Sequence, residues 1–195
     1  MYHLLGYTDI DDLHWLKQQE QDEHQRLLER IAQSKQALNN LQLDTAVHQA
    51  EVLQDIIKDY YSVVATRFLG KKYSPLTYLS AARTVQRTAS QNLIDMVAIG
   101  HSIETIKRNK LEQQQINNDT VQQRQEKQMT LYQEQQIRFE NLLEENRKLF
   151  NALMETAVEI ANIESFNEFE RLDTLSRLIS LAEIAKKTEK IHLPS

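Results

Sequence analysis

The sequence predicts an all-α protein, an elongated helical bundle built on a long antiparallel coiled-coil hairpin. Three observations lead there. The chain has 195 residues with three glycines, two prolines and no cysteine, whereas Gly and Pro together normally make up about 12% of a sequence. Too little punctuation remains for the turns of a multi-stranded sheet. Apolar residues recur at alternating steps of three and four through five segments, the spacing of one helix face. Net charge also changes sign between consecutive segments. Residues 71–110 hold seven Lys or Arg and two acids, residues 111–170 five and twelve, so two neighbouring rods of opposite sign are expected to lie side by side. At roughly 150 residues per domain, a single all-helical domain over residues 1–195 is expected.

The first helix is expected over about residues 10–41. Asp9 is placed to cap it, and Asp11 and Asp12 suit the positive helix start. His24, Leu27, Ile31, Ser34, Leu38 and Leu41 form its seam. Asn39 and Asn40 mark its stop and Asp44 a new cap, opening a second helix over about 45–69 with Ala46, Ala50, Leu53, Ile57, Tyr60 and Val64 on one stripe.

Ser74 followed by Pro75 is the clearest start in the chain. A proline at the first helical position loses no intrahelical hydrogen bond. From it a third helix over about 75–117 carries Ala82, Val85, Ala89, Met96, Ile99, Ile103 and Ile106. The apolar signal lapses at Asn117, Asn118, Asp119 and Thr120. An unbroken helix from Pro75 to Ile163 would be about 130 Å long at 1.5 Å per residue, so a reversal is expected there. The return helix, about 120–163, reads Tyr132, Phe139, Leu142, Asn146, Leu149, Leu153 and Ile160. Residues 111–136 contain ten glutamines and few large apolar residues, which makes them a polar hairpin tip. Ser165 with Glu168 has the spacing of a capping box, and a fifth helix over about 166–190 follows with Phe166, Phe169, Leu172, Leu175, Ile179 and Ala182.

Missing atoms exclude several chemistries. Without cysteine there is no disulfide framework, thiolate nucleophile or Cys-ligated zinc. Gly6, Gly70 and Gly100 are isolated from one another, so no glycine-rich loop can cradle a phosphate. The only Asp/Glu-x-x-His pairs are Asp11 with His14 and Glu189 with His192, near the chain ends, too few for a carboxylate-bridged metal centre. No metal or cofactor is expected, and no catalytic constellation stands out, so the chain reads as a non-enzyme. The start of the chain lacks a basic segment followed by an apolar one, and the most apolar run, Leu93 to Ile103, includes Asp95 and is half of what a bilayer span needs. A cytoplasmic location is expected.

Two regions are dense in residues that recognise partners. Tyr60, Tyr61, Arg67, Phe68, Lys71, Lys72, Tyr73 and Tyr78 surround the connection at Gly70, and Tyr and Arg offer large contact areas with polar ends. The glutamine-rich tip around Gln122 and Gln123 is the second. The leading expectation is a helical scaffold or adaptor acting through protein–protein contacts or self-association, with Tyr60, Tyr61, Arg67, Lys71, Lys72, Tyr73, Gln122 and Gln123 as contact residues. The alternative is a membrane-active protein that hides an apolar stripe at Leu93–Ile103 until it meets a bilayer. Nucleic-acid binding through Lys71 and Lys72 ranks third, weakened by a net charge of −5.

Overall fold

The computed structural model describes residues 5–69, 75–113, 120–163 and 168–191, and the side chains of 15–69, 75–109, 124–163 and 172–184. It is a helical bundle of five helices with no strand among the described residues: α1 (Leu5–Asn40), α2 (Asp44–Arg67), α3 (Leu76–Gln113), α4 (Thr120–Ala161) and α5 (Glu168–Ile191). α3 is the hub, packing against each of the other four.

Helix starts differ from expectation by a few residues, for a local reason each time. α1 begins at Leu5, so Asp9 lies inside the helix and not at its start. α2 begins at Asp44 itself. Leu43 occupies the cap position without a side-chain hydrogen bond, and its carbonyl accepts from the Ala46 and Val47 N–H groups. Asp44 instead places its charge in the first turn, where the helix dipole favours it. Pro75 sits one position outside α3, its carbonyl accepting from the Tyr78 and Leu79 N–H groups. Ser74, Ser165, Phe166 and the lapse at Asn117–Asp119 lie outside the described residues.

The core follows the three-and-four spacing. Leu27, Ile31, Ser34 and Leu38 of α1 are buried, as are all six residues of the α2 stripe and Ala82, Val85, Ala89, Met96 and Ile99 of α3. α4 contributes Leu142, Asn146, Leu149, Leu153 and Ile160. Each fully buried Leu or Ile stabilises by roughly 1.5–3 kcal/mol relative to exposure. The expected α5 stripe holds in part: Ala182 is buried and Leu175 half-buried, but Leu172 and Ile179 are exposed and the buried face also takes in Thr174 and Leu178.

Side-chain contacts give the directions. Glu20 bonds Arg83, Glu23 bonds Arg87 and Arg30 bonds Gln91, so numbers rise together and α1 runs parallel to α3. Asn92 bonds Asn146, and the Lys107 ammonium lies 6.0 Å from the Tyr132 ring centre, so α4 runs opposite to α3 over that stretch. The opposite charges of the described residues pair through the outer helices and not between α3 and α4. Among the described residues, the ion pairs between helices join α1 to α3, α1 to α2 (Lys35–Glu51, 2.7 Å) and α4 to α5 (Arg177–Glu159, 2.5 Å), and none joins α3 to α4.

The α1–α2 connection seats against Gly100. A Cβ there would stand 2.8 Å from Leu41 Cδ1 and 2.9 Å from Leu43 Cδ1, so glycine allows the turn to lie on α3. Beyond that level α3 and α4 continue as a pair. No described side chain between Gly100 and Leu142 is buried; Ile103, Ile106, Tyr132 and Phe139 are half-buried.

Candidate functional site

The aromatic cluster at the end of α2 divides between core and surface. Tyr60 falls on the buried stripe with Ile57 and Val64, and its hydroxyl donates to the Tyr78 carbonyl at 3.5 Å. Burial, with a smaller contribution from Tyr78, pushes its phenol well above the ordinary 10.0. Tyr60 therefore belongs to the core and is withdrawn as a contact residue. Its place was legible in the α2 stripe, whose period includes it. Phe68 and Tyr78 are also buried, their rings 5.0 Å apart, closing this end of the bundle.

Tyr61, one residue on, faces sideways and is half-buried, with its ring centre 4.7 Å from that of His24 on α1. Arg67 is half-buried and lines an open groove of about 450 Å³ with Ser62, Val63, Thr66, Leu69 and Ala161. Leu69 on its rim is 80% exposed. Tyr61 and Arg67 thus lie on different sides of α2, and only Arg67 borders the groove between α2 and α4. Lys71, Lys72 and Tyr73 lie outside the described residues, as do the side chains of Gln122 and Gln123, which fall in the first turn of α4.

Periodicity alone does not reveal the polar seam between α1 and α3. Glu20 pairs with Arg83, a residue only 4% exposed, and Glu23 pairs with Arg87 at 2.7 Å. His24 sits beside them with its titration lowered from the ordinary 6.5, first by burial and then by the Arg83 charge. The signal was available as acids on α1 and arginines four apart on α3, but nothing in the sequence pairs the two. A second polar layer crosses the middle of the bundle. Asn92 Nδ2 donates to Asn146 Oδ1 at 3.0 Å and Gln49 Nε2 donates to the Leu143 carbonyl at 2.8 Å.

The apolar exposures complete the surface. On the extension of α4, Met129, Leu131 and Ile137 are 53%, 41% and 62% exposed. Between α1 and α5 lies a trough of about 550 Å³ floored by Leu76, Thr77, Ser80, Ala81 and Thr84, with Leu16 and Ile179 on its rims. Leu93, Met96 and Ile99 of the apolar run are buried, so they would meet a bilayer only if the bundle opened. No helix among the described residues is long and apolar enough to cross a membrane, and none of them gather into a metal-binding group of three or more His, Asp or Glu. His101, beside Gly100, is exposed, 3.8 Å from Glu104. No protein-family model, curated protein or solved structure matches the chain.

Proposed function

We propose that the protein is a non-enzymatic helical scaffold or adaptor, acting in the cytoplasm through contacts with another helical protein or with a second copy of itself. The observation that carries this reading is the extension of α3 and α4 past Gly100, which among the described residues keeps no buried side chain and leaves Met129, Leu131 and Ile137 exposed. Two-helix segments of this kind gain most of their stability when a further helix covers them. We read the pair as an antiparallel coiled-coil hairpin, its seam formed by Ile103 and Ile106 facing Gln128, Tyr132, Gln135 and Phe139 at steps of four, three and four. The polar tip, with Gln122 and Gln123, presents this extension to partners, and Arg67 with Lys71, Lys72 and Tyr73 forms a second contact region at the opposite end.

The experiment compares the wild-type chain with a Met129→Ser, Leu131→Ser, Ile137→Ser variant. Sedimentation equilibrium and partner capture from the native cell are expected to show loss of self-association or of a defined partner, with helicity retained. Unchanged mass and an unchanged set of captured proteins would dismiss the reading.

A further inference from the structure

The two halves of α1 are held in different ways. From Leu27 onward α1 buries Leu27, Ile31, Ser34 and Leu38. From Trp15 to Arg26 no residue is fully buried, and only Glu20, Glu23 and His24 are half-buried. Its described attachments there are polar or edge contacts: Glu20 to Arg83, Glu23 to Arg87, and the His24 ring on Tyr61. Trp15 and Leu16 remain exposed. Free energies of local opening follow buried apolar contact, so within the described part of α1 residues 15–26 are the stretch that detaches at least cost.

The surface beneath is badly served while covered. Arg83 is almost wholly buried, yet Glu20 reaches only Nη2; Nε and Nη1 have no hydrogen-bond partner among the described residues. A guanidinium is shaped to receive two carboxylate oxygens at once, and buried donors without acceptors are unfavourable. Arg87 lies one turn further along the same stripe, and the trough of Thr77, Ser80, Ala81 and Thr84 runs beside it, floored by small side chains that let another helix come close. The segment covering this stripe shows what chemistry fits it, a helix with two glutamates three residues apart.

We propose that residues 15–26 are an autoinhibitory strap, lifting from α3 while the rest of the bundle stays folded, and that the uncovered Arg83–Arg87 stripe binds an acidic helical segment of a partner protein. The partner's carboxylates replace Glu20 and Glu23, and its apolar face enters the trough between α1 and α5. This surface is separate from the α3–α4 extension, and the two readings stand or fall independently.

The test uses the full chain, its Glu20→Gln, Glu23→Gln variant, and a fluorescent synthetic peptide spanning residues 12–34 of this sequence as the acidic helix. In the variant, hydrogen exchange over residues 15–26 is expected to quicken at least ten-fold with residues 44–67 unchanged, and fluorescence anisotropy to show at least ten-fold tighter peptide binding than to wild type. Adding Arg87→Glu, a change at an exposed position, to the variant is expected to reverse that gain, and a peptide carrying the same two Gln replacements is expected to bind at least ten-fold more weakly. Peptide binding no tighter in the variant overturns the proposal. So does exchange over 15–26 that rises only together with that of 44–67, or equal binding of the peptide carrying the two Gln replacements.

Discussion

Gln42 has φ 57, the left-handed region, at the first turn of the chain. It follows α1 in a recognisable pattern: the Leu43 N–H bonds the Leu38 carbonyl at 3.1 Å and the Gln42 N–H bonds the Asn39 carbonyl at 3.0 Å. This is the Schellman arrangement, in which glycine is the usual residue because a Cβ crowds the neighbouring carbonyl. Gln42 is exposed, so Gln42→Gly loses no packing and is expected to stabilise by about 0.5–1 kcal/mol net of glycine's greater unfolded-state entropy. A lower melting temperature for Gln42→Gly would contradict this account. Asn39, Asn40 and Asp44 announce the stop at the right place in the sequence, but the left-handed residue is invisible there because the signal for it is a glycine the chain lacks. His24 gives a pH dependence. Its folded-state titration lies below the unfolded 6.5, so the unfolded chain binds the proton more readily. The contribution of neutral His24 is complete above 6.5 and is lost as pH falls through the folded-state value. Glu20, Arg83 and Tyr61 surround it, and the Arg83 charge opposes its protonation. Melting between pH 7 and 5 is expected to show a loss of stability that His24→Gln reduces; identical pH profiles for the two proteins would refute the assignment.

Among the helices, α5 shows where periodic reading fails and why. Its apolar residues are spread around the whole circumference, so the expected stripe of Leu172, Leu175, Ile179 and Ala182 looks as good as the buried face of Thr174, Leu178 and Ala182, with which it shares only Ala182. Packing on α3 chooses between them, and packing is not written in the spacing. Leu178→Ala is expected to cost about 2–5 kcal/mol and Leu172→Ser less than about 0.5 kcal/mol, measured by urea unfolding. Reversed magnitudes would mean that α5 is rotated about its axis. In α3 the same spacing finds the buried Ala82, Val85, Ala89, Met96 and Ile99, but it misses a second buried stripe of Leu79, Arg83, Gln86, Ser90 and Leu93, present because α3 packs against all four other helices. Asn146 on the α4 seam is a polar member of an apolar series, read from sequence as part of the stripe, and the structure supplies its reason, a fully buried hydrogen bond to Asn92. A buried amide pair of this kind favours one register over slipped ones at some expense of stability. Asn146→Ala leaves the Asn92 amide buried without that partner and is expected to cost about 1–3 kcal/mol, whereas Asn92→Leu with Asn146→Leu is expected to recover that loss. A double variant less stable than Asn146→Ala would show that the pair stabilises the core outright.

Taken together, the five helices make a body that is tightly packed from α2 to Gly100 and a two-helix extension that is not. The boundary is set by one turn. Leu41 and Leu43 of the α1–α2 turn meet α3 at Gly100. Past it α3 runs on to Gln113, about 20 Å at 1.5 Å per residue. The sequence marks this region by the fading of apolar residues and the ten glutamines, but not its starting level, which depends on where a distant turn lands. The charge reading fails in part for the same reason. Opposite net signs on α3 and α4 are real, yet Arg83 and Arg87 face the acids of α1, a pairing between residues more than sixty apart. If the extension is held only by its half-buried seam, it opens on its own. Hydrogen exchange is then expected to report lower protection for residues 103–109 and 124–138 than for 85–99 and 142–160. Ile103→Ala is expected to lower protection in the extension further while shifting global unfolding by less than about 0.5 kcal/mol. Uniform protection along α3 and α4, with Ile103→Ala felt across the whole bundle, would make the extension part of the core and leave Met129 and Ile137 without the role assigned to them.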